Sequence, residues 1–123
     1  MQRDLTEFNK LEAYLEEHAD EYGIKFGRYD NEDAYPHNKK WAQAFGCEPV
    51  DRHILTVWYK NKPIETVQDL YWFNVSCSCG SYGSEDGLLE LHGALAQFRD
   101  RQNVQEEGWL TANDIIERME AVR

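Results

Sequence analysis

The tripeptide Cys77-Ser78-Cys79 is the place where residue type and spacing most directly suggest chemistry. In an extended strand, residues i and i+2 point to the same face, so both thiols could reach a single metal ion. Cys47, His53 or His92 would have to complete such a site, because structural zinc takes a tetrahedron of nitrogen and sulfur ligands. Such sites usually carry two CxxC knuckles, whereas this chain offers one CxC and a lone third cysteine. We therefore expect no metal and no cofactor, and ordinary buried thiols at a strand end. Cys47, Cys77, Cys79 and His92 stand as the residual ligand candidates of a zinc-stabilised alternative.

The four histidines, His18, His37, His53 and His92, show no HExxH or other metal-helix spacing. The loop Gly80-Ser81-Tyr82-Gly83 lacks the lysine and the glycine spacing of a phosphate cradle and reads as a turn. No nucleophile elbow surrounds any serine or cysteine. A thiol enzyme would need Cys47, Cys77 or Cys79 to meet a histidine in a pocket, and no catalytic residue is expected.

Charge is the other conspicuous property. The chain has 13 Lys and Arg against 23 Asp and Glu, a formal charge of -10. A phosphate backbone needs clustered cations to release its counterions, which argues against direct nucleic-acid binding. A basic protein is the better-matched partner, although acidity also serves solubility alone. The segment Asp4 to Tyr22 places Leu5, Phe8, Leu11, Leu15 and Tyr22 on one helical stripe, and Gly23 supplies a stop. Its polar face carries an acidic ridge. With the loop that follows, this gives Glu12, Glu16, Glu17, Asp20, Glu21, Asp30, Glu32 and Asp33 as the expected partner-binding surface.

The elements that would position these groups can be read along the chain. Ile24 to Tyr29 has the form of a short strand, and Asn38 could cap a short helix through Trp41 and Phe45 to Gly46. His53 to Lys60 is β-branched and aromatic, Lys60-Asn61-Lys62-Pro63 turns back toward Ile64 to Val67, and Leu70 to Cys77 is again strand-like. Trp58, Tyr59, Tyr71, Trp72 and Phe73 are expected to supply core. From Ser84 the spacing of Leu88, Leu91, Leu95 and Phe98 predicts a helix, weakened by Gly87 and Gly93. Thr111-Ala112-Asn113-Asp114 has the form of a capping box opening a final helix to about Val122, with Leu110 stapled onto Ile115. These elements predict an α+β domain: a central antiparallel sheet of three to four strands with N-terminal and C-terminal helices on one face.

The 123 residues, 41% of them hydrophobic, suit a single domain spanning 1–123 with one core. No apolar run approaches a membrane span, and Met1-Gln2-Arg3-Asp4 lacks the apolar region of a signal peptide. Three cysteines, an odd number, fit reduced thiols in a cytoplasm.

Two stretches carry a resemblance. Tyr82-Gly83-Ser84-Glu85-Asp86-Gly87-Leu88-Leu89-Glu90-Leu91-His92-Gly93, followed by Gly108-Trp109-Leu110-Thr111-Ala112-Asn113-Asp114-Ile115-Ile116-Glu117-Arg118, resembles the C-terminal part of short proteins encoded by phages and prophages of Gram-positive bacteria. The likeness covers about the last 40 residues and implies a small accessory gene product made in a bacterial host. Together with the charge, it gives the expected function: a non-catalytic protein that binds a host protein through an acidic surface. The expected target is a basic nucleic-acid-handling enzyme of an antiviral defence of the CRISPR or restriction type.

Overall fold

The computed structural model describes residues 3–31, 51–63, 65, 71–96 and 105–123. Helix α1 (Thr6–Tyr22) leads into strands β1 (Ile24–Asp30), β2 (His53–Tyr59), β3 (Phe73–Ser76), β4 (Leu89–Gly93) and β5 (Glu106–Leu110), and helix α2 (Ala112–Ala121) follows. The strands form one antiparallel sheet in the order β1-β2-β3-β4-β5, a meander. The α+β class is as expected, with five strands in place of three or four.

Period-2 alternation fixes which side of the sheet is covered. Leu55 and Val57 on β2, Phe73 and Val75 on β3, and Leu89 and Leu91 on β4 are buried in one cluster with Phe8, Leu11 and Leu15 of α1 and Ile115 and Met119 of α2. Both helices thus pack on one sheet face. At the C-terminus of α1, Gly23 adopts φ +65 and its N–H donates to the carbonyls of Ala19 and Asp20. The capping box of α2 forms as read: the Asp114 N–H donates to Thr111 Oγ1 at 3.1 Å and the Thr111 N–H to Asp114 Oδ2 at 2.9 Å. The Ala112 N–H donates to Glu7 Oε1 at 2.9 Å, so α1 also helps to cap α2.

The helix expected from Ser84 does not form. A single 3-10 turn, Ser84–Asp86, is followed by β4, and Ser84 provides no side-chain cap. Gly87 and Gly93 stand at φ +72 and +109, conformations that break an α-helix, and the residues between them alternate as a strand. The expected helix at 38–46, the return strand at 64–67, and Phe98 lie wholly or mainly outside the described residues. Among the described residues no helix is long and apolar enough to cross a membrane.

Candidate functional site

The sheet face away from the helices carries the polar members of each strand. Two rows cross it: Ile54, Ser76 and Glu90, then Asn74, His92 and Glu106. All of these except Glu106 line a cleft of about 510 Å³, together with Arg52, Tyr71 and the turn Ser78-Cys79-Gly80-Ser81. Glu90 and His92 share this face because they stand two apart on β4, and Glu106 reaches it as the cross-strand partner of His92. His92 Nε2 lies 2.6 Å from Glu90 Oε1, and its Nδ1 lies 3.9 Å from Glu106 Oε2.

Glu90 is only 8% exposed, and its second oxygen accepts the Tyr82 N–H at 2.5 Å. Burial alone would raise this carboxyl, but the hydrogen bonds to His92 and the Tyr82 N–H outweigh it and hold Glu90 below its usual range. The same Glu90 bond pushes His92 up, against the opposing effect of burial, and Glu106 adds to the rise. One ligand atom from each of Glu90, His92 and Glu106 falls within 4.8 Å of the others, a set that could hold a cation.

Tyr82 links this cleft to a second feature. Along β5, Glu107 and Leu110 oppose Leu91 and Leu89, so Gly108 and Trp109 together stand where one residue would keep register. This is a β-bulge, and it re-aims a side chain. Trp109 takes φ +57 and is 59% exposed, stacked on the 50% exposed Tyr82 with ring centroids 5.3 Å apart and planes 15° from parallel. A Cβ on Gly108 would collide with the Tyr82 side chain, and one on Gly83 would meet Trp109 Cα at 2.9 Å, so both glycines permit the close approach. Below the ledge, Gly80 to Asp86 and Trp109 enclose a notch of about 230 Å³, with Glu85 and Asp86 exposed at its side.

The cysteine pair does not converge. β3 ends at Ser76, so the alternation assumed for a continuous strand stops there. Cys77 is buried in the helix-side core, its Sγ 3.7 Å from the Asp4 carbonyl, while Cys79 is exposed and lines the open-face cleft. Burial pushes the Cys77 thiol up to about 11. Cys47 lies outside the described residues. Cys79 and His92 line the same cleft, but no hydrogen bond joins them.

The acidic ridge divides. Glu16 is exposed and Glu17, also exposed, lies 3.8 Å from His18 Nε2; half-buried Glu12 accepts from Arg28 at 3.0 Å, and the exposed Asp20 and Glu21 accept from Lys60 at 2.9 Å and from Arg123 at 2.5 Å. Asp30 is held between Arg28 and His53, and His53 also meets Asp51, itself bonded to Arg3. These carboxylates tie α1, β1 and β2 together. Glu32 and Asp33 lie outside the described residues. Of the expected aromatic core, Phe73 and Trp72 are buried and Tyr59 is at the surface, stacked on Trp72.

Sequence reasoning missed Glu90, Glu106 and the Tyr82–Trp109 ledge as site residues. The signal for Glu90 and His92 was their i, i+2 spacing, which becomes informative only once 89–93 is read as a strand. Comparison with protein-family models, curated proteins and solved structures returns no match.

Proposed function

We propose that this chain is a non-catalytic binding protein that docks on a basic protein, using the Tyr82–Trp109 ledge and its flanking carboxylates Glu85 and Asp86 as the anchor. The observation that carries this reading is a stacked Tyr–Trp pair left in solvent and fixed from behind by a bulge, two glycines and a carboxylate. An exposed, pre-oriented Trp and Tyr give a large contact area with little ordering cost, and such residues dominate interface energetics. A Lys or Arg side chain fits over these ring faces while pairing with an adjacent carboxylate, an interaction worth about 0.5–2 kcal/mol for the cation–π part. The charge of -10, including exposed Glu16 and Glu17, steers a basic partner toward the surface.

We further propose that the partner is a host nucleic-acid-handling enzyme and the chain a phage or prophage accessory protein, of the anti-CRISPR or anti-restriction kind. The support is the charge and the resemblance, whose two stretches include Tyr82, Gly83, Glu85, Asp86, Gly108 and Trp109, the residues that build the ledge.

The test is capture of basic proteins from nuclease-treated bacterial lysate by the wild type, Trp109→Ala and Glu16→Lys/Glu17→Lys. A salt-sensitive partner held by the wild type, lost with Trp109→Ala and weakened but retained by the α1 double variant is the expected result. Undiminished capture by Trp109→Ala would remove the ledge from the interface. Absence of any basic partner would count against the whole reading.

A further inference from the structure

We propose that Glu90, His92 and Glu106 form a binding site for one divalent transition-metal ion, such as Mn2+, at the edge of the open-face cleft. The site adjoins the docking ledge through the Tyr82 N–H to Glu90 hydrogen bond, but none of its three ligands belongs to the ledge, and metal binding is read without the docking partner.

Two carboxylates and one imidazole suit Mn2+, Fe2+ or Zn2+, and an oxygen-rich set with a single nitrogen leans toward the harder members. Ligand atoms around one octahedral ion lie about 3 Å apart when adjacent and about 4 Å apart when opposite, at metal distances of about 2.0–2.2 Å. The three ligand atoms, all within 4.8 Å of one another, therefore need only side-chain rotations to close on an ion. Their backbones are already fixed: Glu90 and His92 on β4, and Glu106 on β5 directly opposite His92.

A second observation concerns Glu90. Its carboxylate is nine-tenths buried, and one oxygen is oriented by the Tyr82 N–H while the other faces His92. A hydrogen bond from a neighbouring group to a ligating carboxylate is the usual outer-shell arrangement of a metal site, and it fixes the direction in which the free lone pairs point. A dication would take the place of the proton that His92 shares with Glu90, releasing it and compensating the two carboxylates in this partly desolvated setting. Glu90 and His92 line the 510 Å³ cleft, which has room for water or a small anionic ligand beside an ion. This site differs from the cysteine site considered for the sequence: it keeps His92 but replaces the thiols with carboxylates.

The experiment is titration of the full-length, tag-free chain with MnCl2, reading free Mn2+ by electron paramagnetic resonance, alongside His92→Asn, Glu106→Gln and, as a surface control, Glu16→Gln/Glu17→Gln. Mn2+ is preferred as a probe because a hard cation gains little from the exposed Cys79 thiol. The wild type and the surface control should each remove one equivalent of Mn2+ from solution. His92→Asn and Glu106→Gln should bind at least about tenfold more weakly while melting cooperatively. The proposal is overturned if the wild type binds no Mn2+, if both site variants bind like the wild type, or if the surface control loses binding to the same extent. Because His92 and Glu106 are both partly exposed, one failing to fold leaves the other to decide.

Discussion

Trp109 and Tyr82 are joined twice: the Trp109 N–H donates to the Tyr82 carbonyl at 3.2 Å, and their rings stack 5.3 Å apart. Holding Trp109 there requires φ +57, a left-handed conformation costing an L-residue about 1–2 kcal/mol. Trp109→Gly and Trp109→Ala remove the same ring but differ in that penalty. We expect Trp109→Gly to be the more stable of the two by about 1 kcal/mol in urea unfolding, with both deficient in partner binding. Equal stability would mean that the bulge relaxes without Trp109.

The neighbouring glycine gives a complementary result. Gly108 passes so close to Tyr82 that an added Cβ collides with that side chain. Gly108→Ala should therefore cost about 1–3 kcal/mol, as overpacking does, and should disturb the Tyr82–Trp109 stack. Chemical denaturation followed by tryptophan fluorescence reads both effects. A variant as stable as the wild type would show that β5 and the turn carrying Tyr82 separate there at no cost.

The sequence was most legible where one period stood alone. The Leu5-Phe8-Leu11-Leu15 stripe, the Gly23 stop and the Thr111–Asp114 box each had a single interpretation, and the structure forms all of them. Between 84 and 98 two periods overlapped. Leu88, Leu91 and Leu95 fit a helix, Leu89 and Leu91 fit a strand, and positive φ at Gly87 and Gly93 settles the matter. β5 was illegible, since Glu106-Glu107-Gly108-Trp109-Leu110 has little strand propensity and is recruited by pairing with β4. The candidate site inherits that difficulty, because Glu90, His92 and Glu106 meet only through the β4–β5 register. The acidic ridge was visible as composition, but which carboxylates are occupied by Arg28, Lys60 and Arg123 depends on tertiary contacts.

The thiols should separate by reactivity. Cys77 is buried and pushed up to about 11, so at pH 8 only about 0.1% of it is thiolate, whereas Cys79 is exposed. In a Cys47→Ser background, iodoacetamide should add one label rapidly to the folded chain. Adding Cys79→Ser should abolish that label until denaturant is present. Intact-mass spectrometry checks this, and rapid native labelling of Cys77 would contradict its placement in the core.

Acid should act through Asp30. Burial alone would raise its carboxyl, but hydrogen bonds from His53 and Arg28 outweigh burial and hold it below the usual carboxylate range. A carboxyl depressed in the folded state contributes stability above its unfolded value near 3.8 and loses that contribution as pH falls through the lower folded value. Stability should therefore drop between pH 5 and pH 3, and Asp30→Asn should show a smaller drop over that window. Urea midpoints at the two pH values decide it, and an unchanged drop in the variant would assign the acid sensitivity elsewhere.

The start of α2 offers the last test, because three donors there have side-chain acceptors from two parts of the chain. Thr111 Oγ1 and Asp114 Oδ2 cap each other's backbone N–H, and Glu7 Oε1 from the first turn of α1 takes the Ala112 N–H. Replacing Thr111 with Ala strands one donor and should cost about 1 kcal/mol. Glu7→Gln keeps an acceptor but loses the charge facing the positive end of the helix dipole, an effect of about 0.3–1 kcal/mol that salt screens. The two losses should not simply add, since both groups hold the same turn within one hydrogen-bonding network. A double-mutant cycle in urea, run at low and high salt, measures the coupling. If the coupling is absent and Glu7→Gln is silent at low salt, α1 packs against α2 through its apolar stripe alone, and the cap is a local affair of Thr111 and Asp114.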